Sequence, residues 1–138
     1  MKNYAVRLNR GQDVKNSILK FVKENDMSAA VMISSVGSLS KVCFRLPVQE
    51  GKKIEVFTLE EEMEIISING RVSANGHAHL HISICDRKGC VFGGHLLDGC
   101  IVRTTLEIVI LDLEDKRFIT EVDDETGFDE LVIKKVLD

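Results

Sequence analysis

Asn75-Gly76 stands between two runs of strand character, Met63 to Ser73 before it and His77 to Cys85 after it. Asparagine followed by glycine favours the left-handed backbone of a short hairpin turn, so the two runs are expected to be antiparallel neighbours. The second run carries His77, His79 and His81 at alternate positions, and His95 is the only other histidine in the chain. Successive side chains of a strand point to opposite faces, so the three alternating imidazoles share one face.

Imidazole is the commonest side-chain metal ligand, and zinc takes three such ligands plus water, or four ligands in a closed site. Alternate strand residues lie roughly 6.5–7 Å apart, a span that two imidazoles close around one ion with bonds of about 2.0–2.1 Å. His77 and His81 are about 13 Å apart with His79 between them, too far to share one ion with it. The pair is therefore either His77 with His79 or His79 with His81, and a third ligand must come from elsewhere. His95 follows Gly93-Gly94, where a tight turn or a close backbone approach can bring the chain back beside the histidine strand. Against this stands the plainer reading of hydrogen-bonded strand histidines or a pH-responsive interface. Cys85 shares their parity but lies about 13 Å beyond His81, which argues against a common site.

The 138 residues suit one domain, 1–138, with 44% apolar residues, 29% charged residues and one proline. A formal charge of −4 argues against indiscriminate nucleic-acid binding, which needs concentrated Lys and Arg. Basic residues come as scattered pairs, such as Lys52-Lys53 and Lys134-Lys135, and read as solvated surface. Cys43, Cys85, Cys90 and Cys100 form no CxxC pair, and no signal peptide or membrane-length apolar run is seen. Reduced thiols in a cytoplasmic protein are the expectation.

Along the chain, Tyr4 to Leu8 reads as a strand. Asp13 is a plausible cap for an amphipathic helix built on Val14, Ile18, Phe21 and Val22, ending near Asn25-Asp26. Ala29 to Val36 predicts a strand stopped by a turn at Gly37-Ser38. Val42 to Leu46 and Ile54 to Leu59 predict two more, separated by a turn at Pro47 to Lys53. Met63 to Ser73 predicts a long strand bent at Asn69-Gly70. After a turn at Asp86 to Gly89, Cys90 to Phe92 is a short strand, and His95 to Gly99 is too short to assign. Ile101 to Leu113 is the most strand-like run; Phe118 to Val122 predicts an edge strand and Leu131 to Val136 a closing one, with a solvated acidic loop between them. The fold class is α+β: one domain with a mixed or antiparallel sheet and one main helix.

The ordered segments EIISING, HAHLHISICD, GGHLLDGCIV and TLEIVI, with RLNRGQD near the start and SSVGSLS after the helix, resemble the plants-and-prokaryotes-conserved domain family. The resemblance spans nearly the whole chain, and GGHLLDGC is its most specific part. It implies a compact homotrimeric domain whose metal, usually zinc, is held by the H-x-H pair and the GGH histidine: here His79, His81 and His95. His77 falls outside that triad. It also implies a DNA-binding or regulatory role, although the basic R-G-R-P segment by which plant members grip DNA has no counterpart around Pro47, the one proline.

The three-histidine site is similar to that of α-acetolactate decarboxylase, which implies a related fold and a zinc-dependent lyase or hydrolase with a small-molecule ligand at the metal. Glu64, Arg103 and Glu107 are then candidate acid–base or carboxylate-anchoring residues if they face the ion. The plainer reading, which outweighs this, makes Glu64 and Glu107 buried hydrogen-bonding residues at a subunit contact, with Arg103 paired to one of them. A third expectation is an assembly module in which the metal ties strands together, which an open three-ligand site weakens.

Overall fold

The expected helix forms as α1 (Val14–Glu24), with Val14, Ile18 and Val22 buried along one stripe. Asp13 caps it by accepting the Asn16 amide at 2.9 Å. Its second carboxylate oxygen accepts the Gly99 amide at 2.6 Å, which ties the start of the helix to a distant turn. The computed structural model describes residues 1–136. Among the described residues the helix is joined by nine strands: β1 (Lys2–Asn9), β2 (Ala29–Arg45), β3 (Val56–Leu59), β4 (Met63–Ser73), β5 (Ala78–Cys85), β6 (Val91–Leu96), β7 (Ile101–Asp112), β8 (Lys116–Val122) and β9 (Asp129–Lys135).

The main sheet runs β1-β7-β2-β4-β5-β6, with β3 on β2. All its pairings are antiparallel, and β6 also pairs with the far end of β2 through Phe44–Leu96 and Arg45–His95. The path β2-β4-β5-β6 therefore closes on itself. Inside it lie Val42 and Phe44 of β2, Ile68 and Val72 of β4, Leu80, Ile82 and Ile84 of β5, and Leu96 of β6, all in one hydrophobic core with α1. The alternation that buries Leu80 and Ile82 sends His79 and His81 to the outer face.

Two expected strands prove to be one. The runs expected at Ala29 to Val36 and Val42 to Leu46 join into the 17-residue β2, which ends at Arg45, and Gly37 makes no turn. A Cβ at Gly37 would collide with the Thr105 carbonyl and come within 2.7 Å of the Leu106 Cα, so glycine there serves the close approach of β7. Register shifts around Gly37 and Leu39 bend β2, letting its first part pair with β4 and its last residues with β6. Likewise, the short strand expected at Cys90 to Phe92 runs on through Gly93-Gly94-His95 to Leu96. The expected edge and closing strands form a separate two-stranded sheet, β8-β9. That hairpin is held against the main body by buried Phe118, whose amide bonds the Ser28 carbonyl and whose carbonyl accepts the Ala74 amide.

Candidate metal centre

The hairpin between β4 and β5 pairs Arg71 with His79 and Asn69 with His81. On the other side of β5, His81 pairs with His95 of β6, and His95 pairs in turn with Arg45 of β2. Residues directly opposite in antiparallel strands present their side chains on the same face. Asn69, His81, His95 and Arg45 therefore form one row across four strands, with Arg71 and His79 beside it.

Gly93 and Gly94 make this row possible. A Cβ on Gly93 would run into the Ile82 carbonyl and lie 2.8 Å from the Ser83 Cα; one on Gly94 would lie 2.5 Å from the Arg45 carbonyl oxygen. Their hydrogens let β6 settle between β5 and β2, so that His95 arrives beside the histidine strand by close approach and not by a turn.

The rings of His79, His81 and His95 lie mutually close, with centroids 5.2, 5.4 and 5.5 Å apart. One ligating nitrogen from each falls within 4.8 Å of the others. A tetrahedral zinc with bonds of about 2.0–2.1 Å needs those nitrogens roughly 3.4 Å apart, a difference that small side-chain rotations close. Among the described residues no carboxylate or thiol completes this group. The Nδ1 of His95 is buried without a hydrogen-bond partner, an unusual position for an imidazole nitrogen unless it is used by something else.

Burial holds the His95 imidazole down at about 4, helped by the positive charge of Arg45 and by the neighbouring histidines. Burial also lowers His79, with His81 and Arg71 contributing. Both rings are therefore neutral at pH 7, the form that donates a lone pair to a metal. The donor set thus fits a borderline-soft divalent ion with a position open to solvent.

His77, expected within the histidine strand, lies just before β5; its Nδ1 is also buried without a partner, and its carbonyl accepts the Ser73 amide. Glu64, Arg103 and Glu107 do not join the histidines. Glu64 is exposed opposite Cys85, and Glu107 is exposed on β7 opposite Arg7 and Val36. Arg103 donates to Glu62 at 2.5 Å. For Arg103 and Glu107 the reason is topological: among the described residues β7 pairs with β1 and β2 and not with β5 or β6; Glu64 lies on β4 beside β5 but opposite Cys85, four residues along the strand from His81. The charged residues that do flank the histidines, Arg45 and Arg71, become recognisable only through strand register.

Residues 1–114 match the family model described as the Plants and Prokaryotes Conserved (PCC) domain. Over 136 residues the chain is 38% identical to a bifunctional protein GlmU of Synechococcus sp. (strain JA-3-3Ab), a match that takes in 99% of this chain and 21% of that protein. The chain thus spans about a fifth of the length of the curated relatives it matches. Its structure superposes on a hypothetical protein from Salmonella cholerae-suis with a TM-score of 0.90 and 37% identity, covering 99% of this chain and 95% of that one. A metal-containing protein from Archaeoglobus fulgidus gives 0.83 and 28% identity, covering 96% and 94%.

Proposed function

This chain belongs to the Plants and Prokaryotes Conserved domain family, and on that premise we propose that it is a metal-binding protein whose His79, His81 and His95 hold one divalent ion, zinc in the first instance. The observation that carries the reading is the convergence of three imidazole nitrogens from two strands within 4.8 Å, on an accessible face. The likeness to a metal-containing archaeal protein supports it. Three protein ligands leave a coordination position open, the arrangement of a zinc that works on a bound molecule and not of one that only ties strands together.

When bound, the ion supplies Lewis acidity at that open position. The chain's own residues do the rest: β5 and β6 hold the three rings in fixed register, and burial keeps His79 and His95 unprotonated. The catalytic form of this reading is a zinc-dependent lyase or hydrolase of the acetolactate decarboxylase kind acting on a small molecule. The working unit is a homotrimer of a single 1–138 domain. Exposed apolar Ile33 and Val36 on β2, Ile66 on β4 and Val109 on β7 supply surface for contacts between copies. A reducing, cytoplasmic setting suits the four free thiols of the structure, and no helix among the described residues is long and apolar enough to cross a membrane.

Association with DNA is the other role implied by the family resemblance. With a net charge of −4 it requires a local basic surface on the assembled protein and a steep loss of affinity with added salt. Elemental analysis tests the main reading: close to one zinc per chain is expected, lost in His79→Ala and in His95→Ala while the oligomer survives. Equal metal in the variants and the parent protein would remove the three-histidine centre.

A further inference from the structure

We propose that the metal centre is built for a small carboxylate, with Arg45 and Arg71 as the two anchors that hold it beside the ion. The proposal rests on the metal reading above and adds the ligand's chemical class. Its basis is the strand register. Arg45 is the direct cross-strand partner of His95, and Arg71 of His79. Partnered residues share a face and their Cα atoms lie about 4.5–5.5 Å apart. The two arginines thus flank the histidine cluster in the sheet, Arg45 on β2 and Arg71 on β4.

Both arginines are half-buried, and among the described residues neither takes part in an ion pair. Arg71 donates one of its bonds to the Ser73 hydroxyl at 2.7 Å, which steadies the side chain while leaving other donors of its fork. Glu130 of β9 is the acidic group whose charge reaches Arg71 and His79, and Lys15 adds positive charge toward His95. A divalent ion on three imidazole ligands, flanked by two arginines, has a strong excess of positive charge. That excess favours an anion at the open coordination position.

The type of anion follows from what else the site offers. Phosphate sites commonly draw on spare backbone amides at a helix N-terminus or a nest. Here the histidines sit within β5 and β6, whose backbones are engaged in sheet pairing on both sides of β5. Side-chain forks are what the site has to give, and a planar carboxylate is the group that matches a guanidinium in two parallel bonds. A cleft of about 230 Å³ bounded by Asn69, Gly70, Arg71, His79 and His81 suits a molecule of a few heavy atoms. Asn69, opposite His81, can bond a hydroxyl or keto oxygen next to the carboxylate. A 2-hydroxy or 2-keto acid offers a carboxylate for the arginines and a neighbouring oxygen for Asn69.

The test uses the 138-residue chain loaded with cobalt(II), whose visible spectrum reports changes in coordination. Glycolate is titrated against the neutral glycolamide and against inorganic phosphate, with the parent protein and the Arg45→Met and Arg71→Met variants. Saturable spectral change with glycolate at least tenfold tighter than with glycolamide or phosphate is expected, and each arginine variant should weaken glycolate tenfold or more. Cobalt content should stay at one per chain in those variants, which separates anchoring from a merely structural role. Equal binding of glycolamide, or unchanged glycolate affinity in both variants, overturns the arginine anchors. Tighter phosphate binding overturns the carboxylate class. In each of those outcomes the metal reading stands; failure of the parent protein to take up cobalt or zinc removes both.

Discussion

Gly94→Ala is the substitution that most directly links packing to the metal centre. Its new methyl carbon would lie 2.5 Å from the Arg45 carbonyl oxygen and 2.7 Å from Cδ2 of Phe44. Non-bonded heavy atoms settle at about 3.5–4.0 Å, so the shortfall is about 1 Å on each side. Neither neighbour yields easily. The Arg45 carbonyl belongs to the backbone of β2, and Phe44 is 1% exposed with its ring stacked 4.9 Å from that of Phe57. The relief is for β6 to move away from β2, which weakens the short Phe44–Leu96 and Arg45–His95 pairing that closes the sheet path. Overpacking of this kind costs about 1–3 kcal/mol, and loss of one ladder hydrogen bond about 1 kcal/mol more. With a urea m-value of about 1–3 kcal/mol/M, the unfolding midpoint should fall by roughly 1–2 M. The same shift displaces His95 relative to His79 and His81, and sites of this sort tolerate only about 0.5 Å. Zinc affinity, measured by competition with a chromophoric chelator, should drop at least tenfold. A midpoint within about 0.3 M of the parent together with unchanged zinc affinity would refute the claim that Gly94 is needed for close approach.

Several other perturbations have definite expected outcomes. In the metal-free protein, unfolded His95 takes up a proton near its ordinary 6.5, whereas the folded protein resists protonation until about 4. Stability is therefore fully present above pH 6.5 and is lost as pH falls from there toward 4; urea midpoints across that range should fall less steeply for His95→Gln than for the parent. Asp13→Ala removes acceptors for the Asn16 and Gly99 amides, and thermal unfolding should show a loss of about 2–3 kcal/mol. Burial pushes the Cys100 thiol up to about 12, while Cys90 is exposed. Iodoacetamide at pH 8 followed by mass mapping should therefore modify Cys90 well before Cys100.

The amphipathic helix and its Asp13 cap could be read directly from residue spacing, because a helix repeats every 3.6 residues and its first turn needs an acceptor. Alternation alone put His79 and His81 on one face of a strand, and the apolar runs at Met63 to Ser73 and from Ile101 onward marked two long strands of the sheet. Glycine was harder to interpret. Gly37 read as a turn and Gly93-Gly94 as a turn or a close approach, since the same missing Cβ permits both, and only the neighbouring strands show that each lies where two backbones crowd together.

Register was beyond the sequence for a similar reason. A two-residue Asn75-Gly76 loop would set Val72 opposite His79, but the chain pairs Val72 with Ala78 and Arg71 with His79. Gly76 takes a φ of 81° in a loop one residue longer than that. What selects this register is burial: it sends Val72, Ile68, Leu80 and Ile82 inward together, whereas a one-residue slip would put histidine in the core. By itself, the sequence determined the helix, the histidine face and the family's three candidate ligands. Which charged residues stand beside those ligands was decided only when β2 bent to meet β6, because cross-strand neighbours follow from packing between segments far apart in the chain.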